Sequence, residues 1–268
     1  TGVQTCALPI SILMLAIERK NEILSILQKE QRVLVAELST RYQVTEETIR
    51  RDLEKLEKEG FVKKTYGGAV LNKNSTIDMP LKIREKTNRK EKQKIAQTVA
   101  SLIEDGESIM LDSSSTSLMI AQELKKKKKL TVITNSVEVL IELSGCEGIK
   151  VISTGGTLRD SSLSLVGKMA QDVLEKYYVD KAILSCKGID LAKGVTDSHE
   201  MEADVKNCMH NCARTTILAA DTSKLEHVFF VKVMDLSEGD ILVLDKTPKK
   251  EWVDCLEKRG IRLITGAE

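Results

Sequence analysis

Aromatic side chains make up only 3% of the 268 residues, proline occurs three times, and no sign of charge dominates: 41 Lys+Arg stand against 40 Asp+Glu. With so little proline the chain is not collagen-like, and with 41% hydrophobic and 30% charged residues it is not a disordered one. A net charge of +1 gives no whole-molecule field to draw in nucleic acid or membrane, so any such partner must meet a local patch. Six cysteines (6, 146, 186, 208, 212, 255) include no CxxC pair, and a chain this long buries a core without bridges, which points to reduced thiols and a cytoplasmic protein. Cys208, His210 and Cys212 look like a metal cluster at first. On a helix the two cysteines share a face while His210 points elsewhere, so no metal site and no cofactor is expected.

Long apolar runs are missing as well. Ala7 to Ile17 is too short to span a bilayer and has no basic segment ahead of it, so it reads as neither anchor nor secretory signal. Thr1 to Ile10, TGVQTCALPI, resembles the translation of a sequencing-library adapter. Residues 1–13 are therefore set aside as a non-native leader, with Met14 as the expected start. The chain has no GxGxxG, Walker loop or GxSxG, so dinucleotide, nucleoside-triphosphate and serine-hydrolase chemistry lack their minimal parts.

What is present divides in two. Residues 14–70 predict three short helices and a hairpin. Ile23, Leu24, Ile26 and Leu27 give the first helix an apolar face, Val35 to Tyr42 form the second, and Gln43-Val44 turn the chain. Thr45 can cap a third helix whose Ile49, Leu53 and Leu56 repeat at i, i+4, i+7, and Gly60 ends it. Phe61 to Thr65 and the Gly67-Gly68 turn then predict a two-stranded ribbon. With Ile49, Leu53 and Leu56 turned inward, Arg50 and Arg51 face out, free for phosphate or guanine edges in a major groove. The alternative is that they pair with Glu46, Glu47 and Glu54 on a solvated face. Lys63, Lys64 and Tyr66 beside the glycines suit contact with a DNA backbone.

The stretch ETIRRDLEKLEKEGFVKKTYGGAV resembles the signature of the DeoR family of bacterial transcription regulators, and MLAIERKNEILSIL resembles that family's first helix. The resemblance implies a winged helix-turn-helix domain binding double-stranded operator DNA through Thr45, Glu46, Thr48, Arg50, Arg51, Lys63, Lys64 and Tyr66. Two departures stand out. Gln43 occupies a usual turn glycine and Val35 a usual Ser/Thr cap, each costing roughly 1 kcal/mol locally.

Residues 71–94 carry eight basic residues (Lys73, Lys82, Arg84, Lys86, Arg89, Lys90, Lys92, Lys94) against Asp78, Glu85 and Glu91, and read as a basic linker running into a helix with Ile95, Val99, Leu102 and Ile103. From 95 to 268 short apolar runs alternate with helical segments: 108–111, 130–134, 149–153, 181–185, 215–219, 241–244 and 261–264 are the expected strands. Alternation predicts an α/β domain with a mostly parallel sheet. Ligands of such sheets gather beyond the strands' carboxyl ends.

The loops expected there are polar: Asp112 to Ser117, Asn135-Ser136, Gly155-Gly156-Thr157, Lys187-Gly188 and Asp221 to Lys224. Hydroxyls and N–H groups at a helix start suit an anion, although serine there is also an ordinary cap. Two lysines can neutralise a phosphate dianion while Asp112, Asn135 and Asp221 orient sugar hydroxyls. This half also resembles the family's sensor domain, itself similar to sugar-phosphate isomerases such as ribose 5-phosphate isomerase. The resemblance implies a phosphorylated sugar effector held by Ser113, Ser114, Ser115 and Thr116, with Lys187 and Lys224 as basic contacts and Gly155 and Gly156 in the wall. Glu200 and Glu202 read as first-turn acids of a helix, with Glu200 facing the cleft as the alternative.

Two functions follow: a homo-oligomeric repressor of a sugar operon, or an isomerase-type enzyme with an added helical domain, needing a carboxylate base such as Asp190 or Glu200. The TIRRDL motif favours the first, because an isomerase has no use for it.

Overall fold

The computed structural model describes residues 15–72 and 79–266 and divides at 75/76 into two compact units. The expected leader 1–13, Met14, and Lys73 and Asp78 of the expected linker lie outside the described residues.

The first unit runs α1 (Ala16–Glu30), β1 (Arg32–Leu34), α2 (Val35–Tyr42), α3 (Glu46–Lys58), β2 (Val62–Thr65) and β3 (Gly68–Leu71). Ile23, Leu24 and Leu27 of α1 are buried together with Ile49, Leu53 and Leu56 of α3, as their spacing requires. Arg19 Nε donates to Asp52 Oδ2 at 2.6 Å, a buried ion pair between the same two helices. Thr45 caps α3 by accepting from Thr48 N at 3.3 Å. The wing is not the expected two-stranded ribbon: β1 joins it, in the order β1-β3-β2. Three residues between two helices leave no periodicity from which to read a strand. The two departures in the sequence are accommodated separately. Val35 N, lacking a side-chain cap, donates to Gly67 O at 2.8 Å, and Gln43 takes the left-handed conformation (φ 53°) that a glycine would supply.

In chain order the second unit is α4 (Leu81–Lys86), α5 (Arg89–Ser101), β4 (Ser108–Leu111), α6 (Ser115–Leu124), β5 (Leu130–Thr134), α7 (Val137–Leu143), β6 (Ile149–Ser153), β7 (Thr157–Arg159), β8 (Ser164–Val166), α8 (Lys168–Leu174), β9 (Val179–Leu184), β10 (Gly188–Asp190), β11 (Gly194–Asp197), α9 (Glu200–Asn211), β12 (Ala213–Ala219), a single 3-10 turn at Thr222–Lys224, β13 (Val231–Met234), β14 (Ile241–Leu244), α10 (Lys250–Lys258) and β15 (Arg262–Thr265). All seven expected strands lie in one parallel sheet, ordered β15-β14-β12-β9-β4-β5-β6. Successive residues alternate between its faces: Met110, Ala182, Leu184, Leu218 and Leu242 enter one core, and Ile109, Leu111, Ile183, Ile217 and Val243 the other. A strand covered on both faces reads as an unbroken apolar run, which is why these seven were visible.

Two expectations need correction. Half of the stretch read as a basic linker is helical, since α4 spans Leu81–Lys86 and α5 begins at Arg89 and turns Lys92, Ile95, Ala96 and Val99 inward on one face of the second unit. The loop after β4 is shorter than expected, since Ser115, Thr116 and Ser117 form the first turn of α6 behind the Ser114 cap. An antiparallel sheet, β10-β11-β13, and the β7-β8 hairpin accompany the parallel sheet.

The two wing glycines differ in what they tolerate. Gly67 has φ +81° with nothing within 4 Å of a would-be Cβ, whereas a Cβ at Gly68 would sit 2.0 Å from Val33 O. Gly67→Asn is therefore expected to fold normally, and Gly68→Ala to push β1 off the wing and cost about 1–3 kcal/mol. Melting curves of the two variants check this; equal stability would contradict the β1–β3 register.

Candidate DNA-contact helix and anion cleft

On the first unit α3 presents an outer face built by the inward lock of Ile49, Leu53 and Leu56. Thr45, Glu46, Arg50, Arg51, Lys63, Lys64 and Tyr66 are exposed, Tyr66 completely, and Thr48 is half-buried against Thr45, with 2.9 Å between the two hydroxyls. Both arginines carry carboxylate partners one turn earlier: Arg50 Nη2 to Glu46 Oε2 at 2.5 Å and Arg51 Nε to Glu47 Oε1 at 3.3 Å. Lys64 Nζ is 3.0 Å from Glu54 Oε1. The solvated pairing weighed against DNA contact is thus present. Exposed pairs of this kind hold by only about 0.3–0.5 kcal/mol, so a phosphate or guanine can replace the carboxylate at small cost.

On the second unit the parallel sheet reverses its winding at β4. From β4 the chain adds β5 and β6 on one side, then β9, β12, β14 and β15 on the other, leaving a crevice between the carboxyl ends of β4 and β9. Asp112, fully buried, spans it. Its Oδ1 accepts from Ser114 N (3.0 Å) and Ser117 Oγ (2.6 Å), and its Oδ2 accepts from Ser185 N (2.8 Å) in the loop after β9. Those bonds turn Asp112 toward the two loops, whose relative position it holds.

The cleft above is lined by Ser113 and Ser114 from one loop and Lys187 from the other, as expected, and by residues the sequence did not single out: Arg84 of α4, Ser162 between β7 and β8, and Asp197, Glu202 and Lys206. Glu202, not Glu200, is the acid that turns inward, and Glu200 is exposed. Glu202 Oε2 accepts from Ser113 Oγ (3.0 Å), and its Oε1 from Ser162 Oγ (2.6 Å) and Ser164 Oγ (2.5 Å). Lys206, one helical turn on, donates to Asp197 Oδ2 (2.5 Å) and Ser185 O (3.0 Å) and lies 3.6 Å from Asp112 Oδ2. Burial alone pushes the Lys206 ammonium down, but the carboxylates of Asp197, Asp112 and Glu202 more than reverse this and hold it well above the ordinary lysine range. Burial likewise pushes Asp197 up, and the neighbouring Lys206 and Lys187 hold it below the usual carboxylate value. Glu202, Lys206 and buried Met209 share one face at i, i+4, i+7, and charges on an inward stripe were the signal that could have found them.

The remaining expected residues are placed around the cleft. Ser115 and Thr116 are buried in the first turn of α6, and Ser115 Oγ accepts from Lys92 Nζ at 2.9 Å. Asp221 accepts from Asn88 Nδ2 (3.1 Å) and Ser223 N (3.1 Å), and with half-buried Lys224 it adjoins Lys92. Asn135 Nδ2 donates to Leu165 O (3.2 Å) and its Oδ1 is buried without a hydrogen-bond partner among the described residues. Gly156 serves packing: a Cβ there would stand 2.7 Å from Val166 O. Asp112, Ser115, Thr116, Asn135, Gly155, Gly156, Asp221 and Lys224 stand outside the lining of this cleft between β4 and β9.

Comparison with known proteins adds to this geometry. The chain matches the family model for the DeoR-like helix-turn-helix domain over residues 19–75 and that for the DeoR C terminal sensor domain over 87–246. It is 42% identical to an uncharacterized HTH-type transcriptional regulator, YulB of Bacillus subtilis, over 93% of this chain and 96% of that one. It is 36% identical to the HTH-type transcriptional repressor GlcR of Bacillus subtilis (92% and 95% covered), and 31% identical to the L-fucose operon activator of Haemophilus influenzae (92% and 98%). No helix among the described residues is long and apolar enough to cross a membrane.

Lys92 gives the cleft region a measurable signature. Burial, then the charges of Lys224, Arg84 and Lys187, push it down to about 7, with Asp221 partly offsetting them. From about pH 7 to the unfolded lysine value near 10 the unfolded chain holds more protons, so stability rises with pH across that window. Lys92→Met should flatten the rise. Urea denaturation of both proteins at about pH 7 and about pH 9 measures the difference, and equal slopes would show that Lys92 titrates normally.

Proposed function

The chain belongs to the DeoR family of helix-turn-helix transcriptional regulators, and from that premise we propose that it represses a sugar-metabolism operon and releases its operator when a phosphorylated sugar or polyol enters the cleft. The observation that carries the reading is the meeting of Ser113, Ser114, Arg84 and Lys187 at the winding reversal of the parallel sheet. Hydroxyl donors and two cations there answer the charge and geometry of a phosphate monoester. Glu202 with its three serines and Asp197 with Lys206 supply the fixed polar wall that selects a hydroxylated ligand rather than an apolar one. Repression rather than activation is supported by the relative named as a repressor at 36% identity, against the operon activator at 31%.

The cleft is read as a sensor and not as a place of turnover. Of the two candidates for the carboxylate base an isomerase would need, Asp190 is engaged by Ala192 N (2.8 Å) and Lys193 N (2.9 Å) in a tight turn, and Glu200 faces solvent. Neither lines the cleft. An assay of aldose and ketose phosphates is expected to give no isomerisation, and rapid turnover would reverse the assignment.

One recognition helix per chain supports a dimer or tetramer acting in the cytoplasm, with operator half-sites about one helical turn apart. Thermal-shift screening with phosphorylated sugars is expected to find a ligand that stabilises by about 2.7 kcal/mol at ~100 times its dissociation constant. Ser114→Ala and Lys187→Ala should lose the response to that ligand and keep operator affinity. Arg50→Ala and Arg51→Ala should do the reverse. An arginine reading guanine costs about 1–3 kcal/mol at one base, and one on phosphate weakens all sequences alike. Gel-shift titration separates these outcomes, and unchanged affinity in both arginine variants would remove α3 from the interface.

A further inference from the structure

The cleft has the chemistry of a phosphate site and a narrow base. Its cavity volume is ≈ 20 Å³, enough at the base for a water-sized group. A phosphate seated at that depth presses on the walls that line it. The floor cannot yield: Asp112 and Lys206 are buried and bound to both strand-end loops. The β7–β8 wall is tied to Glu202 through Ser162 and Ser164.

The remaining wall is α4, a six-residue helix that adds Arg84 to the lining. Leu81 and Ile83 bury its apolar side, and its other attachments are polar. Leu81 N donates to Ser161 O (3.1 Å), Arg84 Nε donates to Met79 O (3.0 Å), and Lys92 Nζ donates to Arg84 O and to Thr87 O (2.9 Å) while also reaching Ser115 Oγ (2.9 Å). Lys92 thus binds the main chain of α4 and the first turn of α6 with one ammonium. Arg84, Lys187 and Lys224 crowd it with like charge, which an arriving dianion would relieve.

We propose that Arg84 is a direct contact to the effector's phosphate and that seating the ligand resets α4, making this helix the arm through which occupancy of the cleft reaches the covalent segment leading to the DNA-binding unit. The inference rests on the sensor reading above and adds to it the residue and the element that transmit the signal. Arg84 brings a planar pair of donors to the phosphate in the cleft it lines with Ser113 and Ser114, whose N–H and hydroxyl groups donate to the same anion. Lys92 is a positioning residue: it holds α4 to the ligand loop, so a change at Ser115 is felt at Arg84 O.

The test uses the full chain, inorganic phosphate, and a panel of aldose, ketose and polyol phosphates. Arg84→Ala is expected to weaken binding of the active compound about tenfold or more and to abolish its release of operator, with operator affinity in its absence unchanged. Arg84→Lys, which keeps the charge and loses the planar fork, should bind more tightly than Arg84→Ala and more weakly than wild type. Hydrogen exchange of the wild-type chain should report altered protection in residues 81–88 on ligand addition. Wild-type binding with unchanged binding and release in Arg84→Ala, or no exchange change in 81–88, would overturn this inference and leave the sensor reading standing. No binding of any panel compound by wild type would overturn both.

Discussion

One carboxylate holds the second unit's working surface in shape. Asp112 ends the strand at which the sheet reverses its winding, and its two oxygens fasten the loop on its own side and the loop on the far side. A buried carboxylate is costly unless it is compensated, and here Lys206 and a ring of N–H and hydroxyl donors compensate it. Lys206 in turn needs Asp197. The chain of buried charges ties β4, β9, β11 and α9 into one floor beneath the cleft.

The two units solve different problems with similar means. In the first, apolar residues at helical spacing leave the arginines no direction but outward, so the presentation of Arg50 and Arg51 follows from the burial of Ile49, Leu53 and Leu56. In the second, apolar residues alternating between two cores fix the sheet, and polar residues collect where the alternation stops. Function in each sits at the boundary of a pattern.

That is also why the sequence was legible where it was. Seven parallel strands, the three N-terminal helices and the Thr45 cap follow from uninterrupted periodicity, and Ser113, Ser114 and Lys187 follow from their place after strands. β1, β7, β8, β10, β11 and β13 escaped because these strands of three or four residues hold no unbroken apolar run. Arg84 and Lys92 were hidden in a run of basic residues that composition alone marks as solvated, yet Lys92, Ile95, Ala96 and Val99 stand at i, i+3, i+4 and i+7, so one lysine occupies an inward position. Glu202 and Lys206 were concealed in the same way on α9. A charged residue in register with an apolar stripe was the informative anomaly, and it was read as surface.

The recognition helix has a property that bears on how the protein is distributed along a chromosome. Glu46–Lys58 holds five acidic residues and four basic ones, and the whole chain is near neutrality. Most of the affinity that proteins show for random DNA is electrostatic, supplied by surplus cations against the phosphate lattice. This helix brings no surplus: each arginine arrives with a carboxylate that the phosphates repel unless a base edge or a well-placed oxygen takes its place. A helix balanced in this way draws less of its hold on DNA from sequence-independent charge than one with surplus cations would.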